Sequence, residues 1–307
     1  MRKVIGIGET ILDILFKQGT AATSVPGGST FNAMISLGRV GVPSCFVSEV
    51  GDDIVGNIVS DFLSSNGVDD HYLTRHSDKK SSIALAFLDE YNNATYTFYK
   101  ESFGKDSNWE CPQIGRDDII LFGSYYAVDP HTRDKVTQLL GEARRAGAII
   151  YYDVNFRRNH AGEAIKLMGT VIENLEYADI VRGSDEDFEV LYHIKEGTKV
   201  FRDKIDFYCP RLIYSRGAQG VELHSHTLTK HYPVEPIRTV STIGAGDNLN
   251  AGILYALIKY RIRRDDLDHL SEHDWDNIIH CGLQFSTCTC QHTDNYITRE
   301  FATQMTQ

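Results

Sequence analysis

With 307 residues, 42% of them hydrophobic, the chain can bury the core of one large α/β domain or two small ones. Its formal net charge of -11 repels a phosphate polymer, which argues against nucleic acid as a partner and leaves room for a small anion held by local dipoles or Mg²⁺. No run of about 18 apolar residues is present to cross a membrane, and residues 1–16 lack the apolar stretch and cleavage site of a signal peptide, so the expected compartment is the cytoplasm.

In chain order, short β-rich runs alternate with amphipathic stretches, the pattern of a mostly parallel sheet covered on both faces. Residues 4–8 read as the first strand, 31–39 as a helix and 45–50 as the next strand. Residues 54–65 read as a helix stopped by Asn66-Gly67. The runs 83–88 and 95–99 break the alternation. They flank Tyr91-Asn92-Asn93 and read as a β-hairpin that projects from the main sheet, where it can serve as a lid or a dimer contact. Strands follow at 119–122, 148–153, 180–181 and 211–214, with helices near 131–146, 162–175 and 185–192 between them. The last strong helices are 247–260 and 275–288; in the first, Leu249, Ile253, Leu257 and Tyr260 form an apolar stripe.

Two glycine-rich segments carry chemical information. In Thr242-Ile-Gly-Ala-Gly-Asp247, Gly244, Ala245 and Gly246 let backbone N–H groups approach a ligand at a helix N-terminus, which is a natural anion site. An ordinary Asp has a pKa of about 3.9, so Asp247 is ionised at neutral pH and can accept a hydroxyl proton beside that site. The same letters also fit a plain glycine loop with Asp247 as an N-cap. In Gly27-Gly28-Ser-Thr-Phe-Asn32 the glycines permit close approach and Asn32 can both donate to and accept from sugar hydroxyls; a turn into a capped helix is the simpler reading of this segment alone. Gly6-Ile-Gly8 suggests a dinucleotide fingerprint, but the third small residue that motif needs is replaced by Ile11. Cys281, Cys288, Cys290 and His292, with His280 beside them, invite a zinc reading. They contain no C-x-x-C pair, and 281 and 288 share one helix face, so packing is the favoured reading.

Taken together, these segments resemble the two signatures of the phosphofructokinase-B family of carbohydrate kinases, which includes ribokinase and fructokinase. The first is Gly27-Gly28 with Asn32, then Leu37-Gly-Arg-Val-Gly41 and Val50-Gly-Asp-Asp-Ile-Val-Gly56; the second is Gly244-Ala-Gly-Asp247 followed by Ala251-Gly252. The resemblance covers nearly the whole chain. It implies a single ribokinase-like three-layer α/β/α domain over 1–307, with a mostly parallel central sheet and a small β lid from about 12–25 and 82–101. It implies ATP-dependent phosphorylation of a sugar hydroxyl, and homodimerisation through the lid hairpin. Asp247 is then the catalytic base, and Gly244, Ala245 and Gly246 belong to the anion hole. Asp13, on the loop after the first strand, contacts the sugar with Gly27, Gly28 and Asn32. Ser215, Gly217 and Gly220 lie on the nucleotide side.

Gly8-Glu9 with Asp13, Thr97-Phe-Tyr-Lys100, Phe122-Gly-Ser124 and Asp153-Val-Asn-Phe-Arg157 resemble fructokinase-like members, which points to a ketose such as fructose. Other acceptors within the family are 2-keto-3-deoxygluconate, ribose or a nucleoside; a non-catalytic sugar-binding protein is a further reading. Arg157 offers a fixed fork of donors to a phosphate or sugar oxygen, or a surface ion pair. Several residues depart from the family pattern. Ser184 and Asp187 stand where an Asn and a Glu organise Mg²⁺ through water, and Asp187 can still hold a hydrated ion. Ser241 replaces the acidic residue that opens the second signature, which weakens the case for a monovalent cation. Cys281 replaces an adenine-side Asn, and Asn248 and Asn250 replace small and aromatic residues after the base.

Overall fold

The computed structural model describes residues 2–17, 19–88, 94–100, 102–103 and 109–307. The chain runs β1 (Val4–Ile7), β2 (Ile11–Lys17), β3 (Thr20–Gly27), α1 (Ser29–Arg39), β4 (Ser44–Gly51), α2 (Ile54–Ser65), β5 (Leu73–His76), β6 (Ile83–Leu88), β7 (Ala94–Tyr99) and β8 (Ile119–Gly123). It continues with α3 (Arg133–Ala146), β9 (Ile149–Asp153), α4 (Ala164–Tyr177), β10 (Ile180–Ser184), α5 (Asp185–Tyr192), α6 (Gly197–Val200) and β11 (Arg211–Ser215). β12 (Val221–Ser225), β13 (Thr229–Tyr232), α7 (Ala245–Lys259), α8 (Glu272–Cys290) and α9 (Arg299–Thr306) complete it.

Nine strands form one sheet in the order β13-β12-β11-β10-β9-β8-β1-β4-β5, and all neighbours are parallel except at the β12 and β13 edge. The strands read as continuous apolar runs because both faces are covered. Alternate residues feed two cores. Val4, Phe46, Leu121, Tyr151 and Ile213 pack toward α1, α7 and α8, and Ile5, Val47, Phe122, Tyr152 and Leu212 pack toward α3 and α4. The strand order reverses at β1, with β4 and β5 on one side and β8 onward on the other; ligands of such sheets bind at the carboxyl ends beside that reversal.

A second sheet has the order β3-β2-β6-β7, antiparallel within β2/β3 and β6/β7 and parallel between β2 and β6. The expected hairpin is β6 and β7; its turn at Tyr91-Asn92-Asn93 lies outside the described residues. Asp13, expected on a loop, is instead inside strand β2, paired with Val25 and Ala84. Strand β3 is hard to recognise from sequence because its first five residues, 20–24, are small or polar and exposed.

Helix α7 begins two residues earlier than its apolar stripe suggests, because Gly244 adopts the left-handed conformation (φ 79°) and turns the chain into the helix. A Cβ at Gly244 would collide with the Asn295 carbonyl, so glycine is required there on both counts. Helices α7 and α8 approach so closely that a Cβ on Gly252 would meet the Cys281 carbonyl. Gly252→Ala is expected to destabilise the protein by about 1–3 kcal/mol through overpacking. Gly141→Ala, in open space on α3, is expected to stabilise it by about 0.5–1 kcal/mol. Thermal unfolding of the two variants checks the pair, and a neutral Gly252→Ala would contradict the close helix approach.

Candidate active site

The tip of α7 presents two unused donors. The amide of Ala245 donates to Thr242 O and that of Asn248 to Gly244 O, while those of Gly246 and Asp247 take no acceptor among the described residues. Asp247 lies beside them, 8% exposed. Its Oδ2 accepts from Asn32 Nδ2 at 2.8 Å, and its Oδ1 has no hydrogen-bond partner among the described residues. Asn32 Oδ1, also buried, has no partner among the described residues. A hydroxyl between the two side chains would therefore find both an acceptor and a base.

The sugar-side residues converge on the same place. A Cβ built on Gly27 would lie 3.0 Å from Asp13 Oδ2, 3.8 Å from Asn295 Nδ2 and 3.9 Å from Asn32 Oδ1. Gly28 turns the chain into α1 at φ 135°, pressed against the Glu9 carbonyl. Burial raises the Asp13 carboxyl to about 6, opposed by Arg157 and Lys100. Burial likewise raises Asp247 to about 6, opposed by the Asn32 hydrogen bond, Arg157 and Arg182 and reinforced by Asp153. Arg157 thus lies near both carboxylates, and its side chain makes no hydrogen bond or ion pair among the described residues.

On the other side of the α7 tip lies a cavity of about 660 Å³. Ser184, Ser215, Gly217 and Gly220 line it together with Ala245 and Gly246, so the structure joins those expected residues. Asp187 is set back from it. It is buried, and its Oδ2 accepts from Ser184 N and Oγ in a capping box that starts α5. Burial raises its pKa and Arg182 opposes that. Cys281 is not on the cavity wall. It is buried where α8 meets Gly252, and Leu283, Ser286, Thr287 and Cys290 supply the wall from that helix. Ser241 Oγ accepts from Ile243 N and so helps shape the loop before α7. Cys281 and Cys288 pack in the hydrophobic core.

Sequence reasoning missed a buried polar network under the α7 tip. Arg182 donates from Nη1 to Asp153 Oδ1 at 2.9 Å and from Nη2 to Ser215 Oγ at 2.8 Å. Asn250 Nδ2 donates to Asp153 Oδ2 and its Oδ1 accepts from Tyr151 OH. Asn248 accepts from Ser36 Oγ and donates to the Gly244 and Asn295 carbonyls at 2.8 Å each, which holds the glycine turn in place. The two asparagines had already stood out as departures, and that was the available signal. Also missed was the segment carrying Val234, Pro236, Ile237 and Thr239, which forms a cavity wall without regular structure.

A carboxylate beside free amides, between a cluster of polar side chains and a roomy cavity, is an arrangement suited to phosphoryl transfer. The family model for pfkB family carbohydrate kinases matches residues 1–300, and the chain belongs to that family. It is a carbohydrate kinase. A fructokinase of Rhizobium leguminosarum bv. trifolii is 26% identical, covering 83% of this chain and 79% of its own. The aminoimidazole riboside kinase of Salmonella typhimurium is also 26% identical, covering 84% and 81%. The crystal structure of the Salmonella enterica aminoimidazole riboside kinase, complexed with aminoimidazole riboside and an ATP analog, superposes with a TM-score of 0.84 at 20% identity, over 99% of both chains. The fold is therefore ribokinase-like. Among the described residues no helix is long and apolar enough to cross a membrane.

Asp13 and Asp247 bind protons more tightly folded than unfolded, so the stability this contributes is full below about 3.8 and is lost as pH rises through about 6. Asp247→Asn is accordingly expected to raise the unfolding temperature by a few degrees at about pH 7.5 and to give no gain near pH 4. Calorimetry at the two pH values tests this, and a variant destabilised at the higher pH would contradict it.

Proposed function

We propose that the protein phosphorylates a ketose such as fructose with ATP as donor. The observation that carries this reading is the unengaged Asp247 Oδ1 beside the free Gly246 and Asp247 amides, at the junction of the Asp13–Asn32 cluster and the cavity. ATP occupies the cavity with its phosphates toward the α7 tip, and the sugar lies against Asp13, Asn32, Gly27, Gly28 and Arg157. The sugar hydroxyl oxygen bonds to the γ-phosphorus as Asp247 Oδ1 takes its proton. The bond to the ADP oxygen breaks, and the amides stabilise the charge on the transferring group. Asp187, set back behind Ser184 with one oxygen fastened there, would reach a hydrated Mg²⁺ in the cavity through that ion's own waters. When bound, that ion would neutralise phosphate charge. β2, β3, β6 and β7 act as a lid over the sugar, excluding water.

The similarity to aminoimidazole riboside kinases supports a riboside as the second acceptor to test. ADP release with Mg-ATP over ketoses, aldoses, sugar acids and nucleosides separates the readings. Fructose is expected to give the highest kcat/KM, and a higher value for a riboside would replace the ketose reading. Asp247→Asn is expected to cut kcat by about 10²–10⁴-fold while changing sugar affinity little. Turnover close to the unmodified enzyme would remove Asp247 from the role of base.

The lid also supports a homodimer, because Phe87 and Tyr99 on its strands are 41% and 57% exposed. Sedimentation equilibrium at micromolar concentration is expected to give twice the 34.6 kDa chain mass. Phe87→Asp should lower it, and a monomeric unmodified protein would exclude this interface.

A further inference from the structure

Among the described residues, Arg182 is the one cation on the wall of the 660 Å³ cavity, which also carries the carboxylates of Glu186 and Glu235. It is 6% exposed, in the middle of the sheet on β10. A buried guanidinium is costly, and an apolar side chain of similar volume would often be more stable there, so its presence asks for a function. Its place is fixed by two hydrogen bonds. Asp153 at the end of β9 and Ser215 at the end of β11 each take one of its N–H groups, and Asn250 and Tyr151 hold Asp153 in turn. Each terminal nitrogen carries two hydrogens, so Nη1 and Nη2 each keep one uncommitted. Above it is Gly246: a Cβ there would lie 2.8 Å from Nη2 and 3.1 Å from Nη1. The glycine thus opens the floor of the anion site to the guanidinium.

We infer that Arg182 donates hydrogen bonds to the terminal phosphate of a nucleoside di- or triphosphate lying across the tip of α7, with Asp153 and Asn250 as its positioning residues. This rests on the reading of the cavity as the nucleotide site. Asp153 and Asp187 outweigh burial and hold the guanidinium's pKa above its ordinary value, so it stays charged whether or not the cavity is filled. A fixed, pre-oriented cation needs no reorganisation when phosphate arrives.

The test is calorimetric titration of the full-length protein with ADP and, separately, with adenosine, which lacks the phosphates. Arg182→Met alone would leave Asp153 buried without a counter-charge, so the informative protein is Arg182→Met with Asp153→Asn, which removes both charges together. ADP affinity is expected to fall about tenfold or more with adenosine affinity unchanged, as for the loss of a charge-assisted phosphate contact. Asn250→Ala, which removes only a brace, is expected to fall in between. Equal ADP affinity in the unmodified and double-variant proteins would overturn the inference. A parallel loss of adenosine binding would overturn it too, since it would mark a collapsed cavity and not a lost phosphate contact. Failure of the unmodified protein to bind ADP would instead sink the nucleotide site itself.

Discussion

A hydrogen bond sealed from solvent, from Asn32 Nδ2 to Asp247 Oδ2, joins two residues 215 positions apart and fixes where that carboxylate sits. Neither residue can be placed until α1 and α7 pack side by side. The same seam holds Ser36 against Asn248, and Asn248 against the carbonyls of Gly244 and Asn295. The glycine turn, the Asp247 carboxylate and the Asn32 amide are thus parts of one buried contact between the first and last thirds of the chain. A small shift of α7 against α1 would move the Asp247 carboxylate and the free amides together, and rates of group transfer depend steeply on such placement.

The charges around that seam are set by burial more than by number. The chain as a whole is acidic, yet two arginines face the site, one buried and braced and one exposed without a partner among the described residues. Asp13 and Asp247 are both raised to about 6 chiefly because they lose water. A carboxylate so raised is a better proton acceptor than an ordinary Asp while still ionised at neutral pH. The folded state gives up some stability for it, as active sites commonly do.

The sequence was legible where glycines force the issue. Gly27, Gly28, Gly244 and Gly246 sit where a side chain would crowd a carboxylate, a carbonyl or a guanidinium, and glycine there marks the site directly. The parallel sheet was legible because strands buried on both faces are apolar throughout. Strand β3 was not, since its exposed first residues are small or polar and carry no apolar signal. Arg182 was not, because a lone charge in a strand has no local meaning, and Asp153 stood out only as the first residue of a motif. Their partners Ser215, Tyr151 and Asn250 come from other strands and a distant helix. Cys281 shows the reverse failure: a position matched by pattern turned out to face a helix interface, with the cavity wall formed further along α8.

The two ends of the site differ in what change would cost. The transfer end is built of backbone amides, glycines and a buried network, where most substitutions would leave a polar group without a partner. The sugar end is bordered by exposed charged side chains. Glu9 and Lys100 pair at 2.7 Å across the gap between the main sheet and the end of β7, each more than 40% exposed on its side chain. Such a pair is worth little to stability and can be exchanged freely. An enzyme built this way can change its acceptor by surface substitutions while its transfer chemistry stays fixed. Relatives of closely similar fold, named for different acceptors, are what that division of labour would produce.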